Sequence, residues 1–156
     1  MEIDYESLKN EVIEFLDQHK ILVFATCAAN RVTARAMSCV HKGLTIYFQT
    51  GTTSVKFKQL AQNPNVALCA ANVQIEGVAR IRKHPLDPSN VEFIEAYKTH
   101  HLGSFQTYSH LKSNVVIEVE PRLITFWKYD ADHKPYREFL YVDEQRAERE
   151  YYDISD

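Results

Sequence analysis

The first apolar residues of the chain recur at helical spacing. Charged residues lie between them, as in an amphipathic helix that has one apolar face. The residues of this face are Leu8, Val12, Phe15 and Leu16. The pattern predicts an N-terminal helix that ends near His19.

Beyond residue 20 the period changes to that of β-strands. An apolar run over 21–27 and a turn over 28–31 are followed by two strand-like segments, 32–41 and 44–50. We expect three consecutive strands joined by short turns, which is an antiparallel meander. In such a meander the strand that carries Arg35 pairs with the strand that ends at Gln49 and Thr50.

The rest of the chain predicts short strands and a few helices. A short helix is expected to follow the hydroxyl residues 52–54 and to stop before Pro64, and a second helix is expected over 89–101. Residues 102–113 are polar and irregular, with room for one short helix. Further strands are expected over 66–71, 73–82, 115–119, 122–128 and 136–142.

These elements predict a mainly β fold. Since most strands follow one another through short turns, we expect an antiparallel sheet that closes into a small β-barrel with short helices at its ends. A chain of 156 residues is the length of one domain, and residues 1–142 are expected to form it. The highly charged segment 143–156 is expected to be a tail, as a short surface helix or a frayed end.

Composition narrows the functional class. Hydrophobic residues make up 45% of the chain and charged residues 25%, as in soluble globular proteins. The net charge of -3 disfavours a nucleic-acid binder. No apolar run approaches the roughly 18 to 20 residues that cross a bilayer, and the acidic N-terminus is unlike a signal peptide. A cytoplasmic protein with no membrane segment is therefore expected.

The segment Thr50-Gly51-Thr52-Thr53-Ser54-Val55-Lys56 is a candidate anion site. It joins a strand to a helix N-terminus, where unpaired N–H groups and the helix dipole favour negative charge. Its hydroxyls and Lys56 fit a phosphate cradle. It lacks the glycine pattern of a nucleoside-triphosphate loop. An ordinary capped helix with an exposed lysine is the alternative.

Arg35 lies in the middle of a strand of small and apolar residues. A guanidinium in such a place needs either an anionic partner or a path to solvent. Arg35 and Lys56 are therefore expected to flank one anion. A solvent-facing arginine is the alternative.

Residues 21–68 carry a resemblance to a known family. Five features occur in order: an apolar strand that ends in Ala-Thr and a turn, a strand with Arg and small residues, a strand that ends in aromatic-x-Thr, Ser-x-Lys at a helix start, and Asn-Pro-x-Val. A strand with Gly77 follows. The chain thereby resembles the FMN-binding core of the pyridoxamine 5'-phosphate oxidase-like split barrels over 20–82, and more loosely over 127–129 and 136–138.

The resemblance implies a homodimer that binds two FMN molecules in clefts between its subunits. By position, Arg35, Ser54 and Lys56 would hold the phosphate. The other cofactor-binding residues implied along the same segments are Ala36, Met37, Ser38, Gln49, Thr50 and Val55. Gln74 and Trp127 are weaker candidates for completing the site from the partner subunit.

The resemblance does not extend to the oxidation of pyridoxamine phosphate, because the chain has no counterpart of the oxidase's C-terminal substrate-binding segment. We expect an FMN-dependent oxidoreductase that passes electrons from a nicotinamide donor to a small organic acceptor. Two alternatives stay open: a non-enzymatic flavin or haem protein of the same fold, and a barrel that binds an apolar ligand without a cofactor.

Other residues give weaker signals. His100, His101 and His110 lack the spacing of a zinc site, although this segment would supply the first suspect for a haem ligand. Residues 84–113 are a candidate for the substrate side.

Overall fold

A computed structural model describes residues 1–155 and consists mostly of antiparallel β-sheet. The strands, in chain order, are β1 (Glu2–Ile3), β2 (Ile21–Ala28), β3 (Arg31–Ser38), β4 (Val40–Lys42), β5 (Thr45–Gly51), β6 (Asn65–Ala70), β7 (Val73–Ile81), β8 (Asn114–Tyr129), β9 (Pro135–Tyr141) and β10 (Arg146–Tyr151). The helices are α1 (Tyr5–Gln18), α2 (Val55–Gln62), α3 (Val91–His100) and α4 (Leu102–Tyr108). The mainly β class with short helices is confirmed.

All strand pairings of the sheet are antiparallel. The strand order is β1-β10-β9-β8-β7-β6-β2-β3, and β5 joins this path through β8 while also pairing with β4. The first half of β8 pairs with β5 on one side and β7 on the other. Its second half pairs with β7 and β9. The sheet therefore branches at β8, the strand that joins its two arms.

Local signals place the first two helices. Asp4 caps α1 by accepting a hydrogen bond from the backbone N–H of Ser7 at 2.8 Å, and Ser54 caps α2 by accepting one from Phe57 at 3.2 Å. The buried residues of α1 are those predicted from the sequence. Within residues 1–155, no helix combines the length and the apolar character that a membrane span needs.

The core has two parts. The larger cluster fills the space between the sheet and α1 and includes Phe24 and Phe48, whose ring centroids lie 4.6 Å apart. The smaller cluster packs α3 against β4 and β8, with Phe93 stacked on Tyr97. This second cluster fixes α3 beside the functional site described below.

The expected strand over 32–41 is interrupted at Cys39. The N–H of Cys39 donates to the carbonyl of Lys20 at 2.9 Å, and the chain then turns into β4. As a result β3 pairs with β2, while β5 pairs with β4 and β8. The predicted pairing between the Arg35 strand and the strand ending at Thr50 is therefore wrong.

The two strands expected over 115–119 and 122–128 form one strand, β8. The register between β7 and β8 shifts at Glu76/Gly77, where Gly77 faces Pro121. A bulge of this kind accommodates a proline, which cannot donate to the ladder. The strand therefore continues through Pro121.

The helix or frayed end expected over 143–156 is also wrong, because β10 occupies 146–151 and pairs with β9 and β1. Charged residues of β10 pair with residues of opposite charge on β9. Glu150 lies opposite Arg137 in the register and pairs with it at 2.8 Å. Such cross-strand pairs stabilise a strand whose composition is typical of a surface helix.

Candidate functional site

A cavity of about 300 Å³ opens between β3, β5, the start of α2 and the α3–α4 segment. Six residues predicted from the sequence line it: Ala36, Met37, Ser38, Gln49, Thr50 and Lys56. They come from three separate segments of the chain. The structure thus brings the larger part of the predicted site to one place, although β3 and β5 are not paired.

Arg35 is not in the lining of this cavity, and its side chain is held by neutral groups. Its guanidinium donates to the carbonyl of Phe24 at 3.1 Å, to the hydroxyl of Thr26 at 2.9 Å and to the hydroxyl of Thr33. Burial lowers the pKa of Arg35. No carboxylate among residues 1–155 forms an ion pair with it. Its positive charge is therefore not neutralised within the described chain.

Lys56 adds a second positive charge in the first turn of α2. Partial burial lowers the pKa of Lys56, and the nearby Arg35 guanidinium lowers it further. Lys56 lines the cavity, and within residues 1–155 it too has no carboxylate partner. Two cations that disfavour one another are stabilised by an anion placed between or beside them. This end of the cavity suits a phosphate.

Ser54 and Val55 lie next to the cavity rather than in its lining. The Ser54 hydroxyl caps α2 and lies 3.1 Å from the hydroxyl of Thr50. Val55 is 45% exposed. The capped-helix interpretation of Ser54 is thus confirmed, while its role toward a phosphate stays a prediction.

Another part of the cavity lining is polar and neutral. Gln49 is 6% exposed, and its Oε1 accepts a hydrogen bond from the buried Ser109 hydroxyl at 2.8 Å. Within residues 1–155, Gln49 Nε2 is buried without a hydrogen-bond partner. The hydroxyl of Tyr97 lies near this amide, Ser104 and Ser38, and burial raises the pKa of Tyr97. This wall therefore presents uncharged hydrogen-bonding groups.

Tyr97, Ser104 and Tyr108 were not singled out by the sequence, although the segment 84–113 was proposed for the substrate side. All three line the cavity. Tyr97 belongs to α3, and Ser104 and Tyr108 belong to α4. The only sequence signal for Tyr97 was its helical spacing within 89–101. That spacing is as typical of a residue that packs in the core as of one that lines a site.

The edge of β3 also faces outward. Within the described chain, β3 pairs with β2 alone and ends the sheet path. An edge strand carries a row of backbone N–H and C=O groups without ladder partners. Ala36, Met37 and Ser38 belong to this strand and line the cavity, which places polar backbone beside the site.

Gln74 and Trp127 lie away from the cavity. Gln74 is on β7, and its Nε2 is 3.4 Å from Glu76 Oε2. Trp127 is on β8, and its indole N–H donates to the Tyr152 hydroxyl at 2.7 Å. The structure does not bring either residue to the other candidates within one chain, and their role from a partner subunit stays a prediction.

The three singled-out histidines are not in the cavity lining. His100 and His110 are exposed, while His101 Nε2 lies 2.9 Å from the carbonyl oxygen of Cys39. Among residues 1–155, no group of three or more His, Cys, Asp or Glu side chains is arranged to hold a metal ion.

The chain is similar to a protein of known sequence and to several solved structures. General stress protein 26 of Bacillus subtilis is 31% identical over 88 residues, which cover 51% of this chain and 63% of that protein. The chain thus matches less than two thirds of this relative's length. An FMN-binding protein related to pyridoxamine 5'-phosphate oxidase from Nostoc punctiforme is 14% identical with a TM-score of 0.62, covering 94% of each chain.

The same fold occurs in the haem storage protein HutZ from Vibrio cholerae. It is 17% identical with a TM-score of 0.61, covering 73% of this chain and 89% of that one. The fold therefore includes an FMN-binding protein and a haem protein. Residues 8–128 match the family described as pyridoxamine 5'-phosphate oxidase. This match spans more than half of the chain, and the protein belongs to that family.

Proposed function

We propose that the protein is an FMN-binding oxidoreductase that passes electrons from a nicotinamide donor to a small organic acceptor. The observation that carries the proposal is the cavity itself. It combines the cationic end at Lys56 and Arg35 with the edge of β3 and a neutral polar wall. A nucleotide with one terminal phosphate and a polar planar ring needs these two kinds of environment.

The residues fit the parts of FMN in chemical terms. Lys56 and Arg35 would hold the phosphate, because charge-assisted hydrogen bonds to phosphate are strong and neither cation has a carboxylate partner in the described chain. The backbone of Ala36, Met37 and Ser38 would meet the polar edge of the ring. The buried, unpartnered donor of Gln49 is a group that a ligand acceptor would satisfy.

The bound flavin would supply the hydride and electron transfer. The chain's part is to place the ring and set the charge around it. Tyr97, with a raised pKa, stays a neutral hydrogen-bonding group at physiological pH. The polar wall can therefore orient an uncharged part of the ring or a substrate without adding charge to it.

We further propose a homodimer. The outward face of β2 and β3 carries apolar side chains: Ile21 is 52% exposed, Val23 39% and Val32 70%. Ala34 is exposed on the same strand. An apolar sheet face of this kind is typical of surfaces that a second subunit covers. A second copy would bury this face and offer a source for the residues that complete the cavity.

The cytoplasm is the proposed compartment. Cys27, Cys39 and Cys69 are free thiols, and Cys69 is exposed. Free thiols are typical of proteins in a reducing environment.

The solved structures of the same fold include an FMN-binding protein and a haem protein. The cavity favours the first, because its basic end is suited to a phosphate and none of His100, His101 and His110 lines it. A non-enzymatic flavin protein of the same fold is the remaining alternative.

The test is a visible spectrum of the purified protein after addition of FMN, with FAD and haem as controls, followed by anaerobic addition of NADH or NADPH. The proposal predicts saturable FMN binding and bleaching of the flavin absorbance by one of the donors, with reoxidation by an organic acceptor. FMN binding without reduction by either donor would instead identify a non-enzymatic binder. A haem band without FMN binding would overturn the proposal.

A further inference from the structure

Ser109 lies just after α4, at the point where the α3–α4 segment returns to the sheet. It is 1% exposed, and its N–H donates to the carbonyl of Phe105 at 3.2 Å, which closes the last turn of the helix. Its hydroxyl donates to Gln49 Oε1 at 2.8 Å. One buried serine thus ties the helical wall of the cavity to the end of β5.

This contact determines which end of the Gln49 amide is available. Since Oε1 is engaged by Ser109, Nε2 is the end left over, and within residues 1–155 this buried donor has no partner. A buried amide donor without an acceptor is rare in folded proteins, and an acceptor on a bound ligand would satisfy it. Gln49 and the adjacent Tyr97 both line the cavity.

The side chain of Gln49 lies beside the Tyr97 hydroxyl, with Ser38 and Ser104 near the same hydroxyl. These groups are uncharged, and the raised pKa of Tyr97 keeps its hydroxyl protonated. The cation of the cavity lining is Lys56, on α2. The ligand group that suits the Gln49 end is therefore a neutral acceptor, such as a ring carbonyl or a ring nitrogen, and not a second anion.

We infer that Ser109 is a positioning residue that acts through Gln49: it holds the amide so that Nε2 serves as a donor to a neutral acceptor on the bound ligand. This inference rests on the proposed FMN site. Ser109 itself is not part of the cavity lining, so its effect on the ligand is expected to pass through Gln49.

A double-mutant cycle with FMN as the probe tests the inference, with equilibrium dissociation constants measured by quenching of flavin fluorescence. Gln49→Met keeps the length of the side chain and removes both polar groups. It is expected to weaken FMN binding about tenfold or more. Ser109→Ala is expected to weaken binding about three- to tenfold. The double variant should bind no more weakly than Gln49→Met alone, because Ser109 acts only through Gln49.

Asp4→Ala is the matched control for a loss of stability alone. It removes the α1 cap, and neither Asp4 nor any residue of α1 lines the cavity, so it should lower the melting temperature and leave FMN affinity unchanged. Each variant's melting temperature is measured without FMN, so that an effect on folding is seen separately from an effect on affinity.

Three outcomes separate the claims. Non-additive losses at Ser109 and Gln49, with Asp4→Ala unaffected, support the positioning role. Wild-type FMN binding with no change in Ser109→Ala, or with losses that add, overturns the positioning role and leaves the proposed function standing. Failure of the wild-type protein to bind FMN overturns the proposed function and this inference with it.

Discussion

The guanidinium of Arg35 on β3 lies close enough to Lys56 on α2 to lower the pKa of its ammonium group. The two residues come from elements that do not follow one another, and Arg35 is fixed by three neutral oxygens. Since no carboxylate of residues 1–155 pairs with either cation, the pair forms a local positive charge beside the cavity that Lys56 lines.

Removal of the Lys56 ammonium should weaken the binding of a flavin that carries a phosphate more than the binding of a flavin without one. Lys56→Met is expected to weaken FMN binding by about tenfold or more, while riboflavin binding changes by less than about twofold. Lys58→Met is the matched control, because Lys58 is an exposed lysine of the same helix outside the cavity lining. Equal losses for FMN and riboflavin would show that Lys56 does not contact the phosphate.

The pH dependence of FMN binding should reveal the depressed pKa of Lys56. The charged ammonium binds phosphate, so affinity is expected to fall as pH rises through this lowered pKa, before the ordinary value of 10.5 is reached. Over the same interval the ligand-free protein gains stability, because the unfolded chain still holds the proton that the folded protein has released. Isothermal titration across alkaline pH measures the first effect, and the phase should be absent in Lys56→Met.

Gly77 is expected to be indispensable to the β7–β8 bulge. A Cβ at this position would lie 2.7 Å from the backbone oxygen of Glu120 and 3.0 Å from Val119 Cγ1. Gly77→Ala should therefore lower the free energy of unfolding by about 1 to 3 kcal/mol, measured by urea denaturation. Gly103→Ala is the control, since a Cβ there meets nothing within 4 Å. Equal stability of the two variants would mean that the bulge relaxes freely.

Lys128 is expected to stabilise the fold through a partly buried ion-pair network. Its ammonium lies 2.9 Å from Glu138, whose side chain is 5% exposed, and 2.6 Å from Glu11 on α1. Although burial opposes the charged ammonium, the hydrogen bonds and charges of Glu11 and Glu138 raise the pKa of Lys128. Among residues 1–155, Lys128→Met leaves the Glu138 carboxylate with only the 3.5 Å ion pair to Arg149.

Removing one partner of a buried ion pair destabilises a protein by about 3 to 5 kcal/mol. Because Glu11 and Lys128 are partly exposed, the expected loss here is about 1 to 3 kcal/mol. Urea denaturation of Lys128→Met at neutral pH measures the loss, and the variant Lys128→Met with Glu138→Gln should recover part of it. A single variant as stable as the wild-type protein would contradict the structural role of the network.

Local patterns predicted α1 and α2 from the sequence, because their apolar spacing and capping residues are contained within a few positions. Contacts between residues far apart in the sequence were harder to predict. The break at Cys39 depends on a contact with Lys20, which no periodicity reveals, and β10 depends on charges supplied by the neighbouring strand β9. The sequence predicted two strands, 115–119 and 122–128, and the register shift at Glu76/Gly77 that lets one strand continue through Pro121 depends on the pairing with β7.

The difference between local patterns and long-range contacts also applies to the candidate site. The segment from Thr50 to Lys56 was identified from its hydroxyls and lysine at a helix start, and Ala36 to Ser38 through the family resemblance. Ser109 was missed because its partner Gln49 is 60 positions away and its own segment has no regular pattern. Tyr97 looked like a packing residue, and it is indeed buried against Phe93 while its hydroxyl reaches the cavity.

FMN binding in this cavity is measured by an equilibrium titration of the purified protein, carried out side by side for the wild-type chain and for the double variant Lys56→Met with Arg35→Ala. We predict saturable binding of one FMN per wild-type chain and loss of that binding in the double variant, whose fold is checked by circular dichroism. A wild-type protein that does not bind FMN, or a folded double variant that binds it as tightly as the wild type, would contradict the assignment of this cavity.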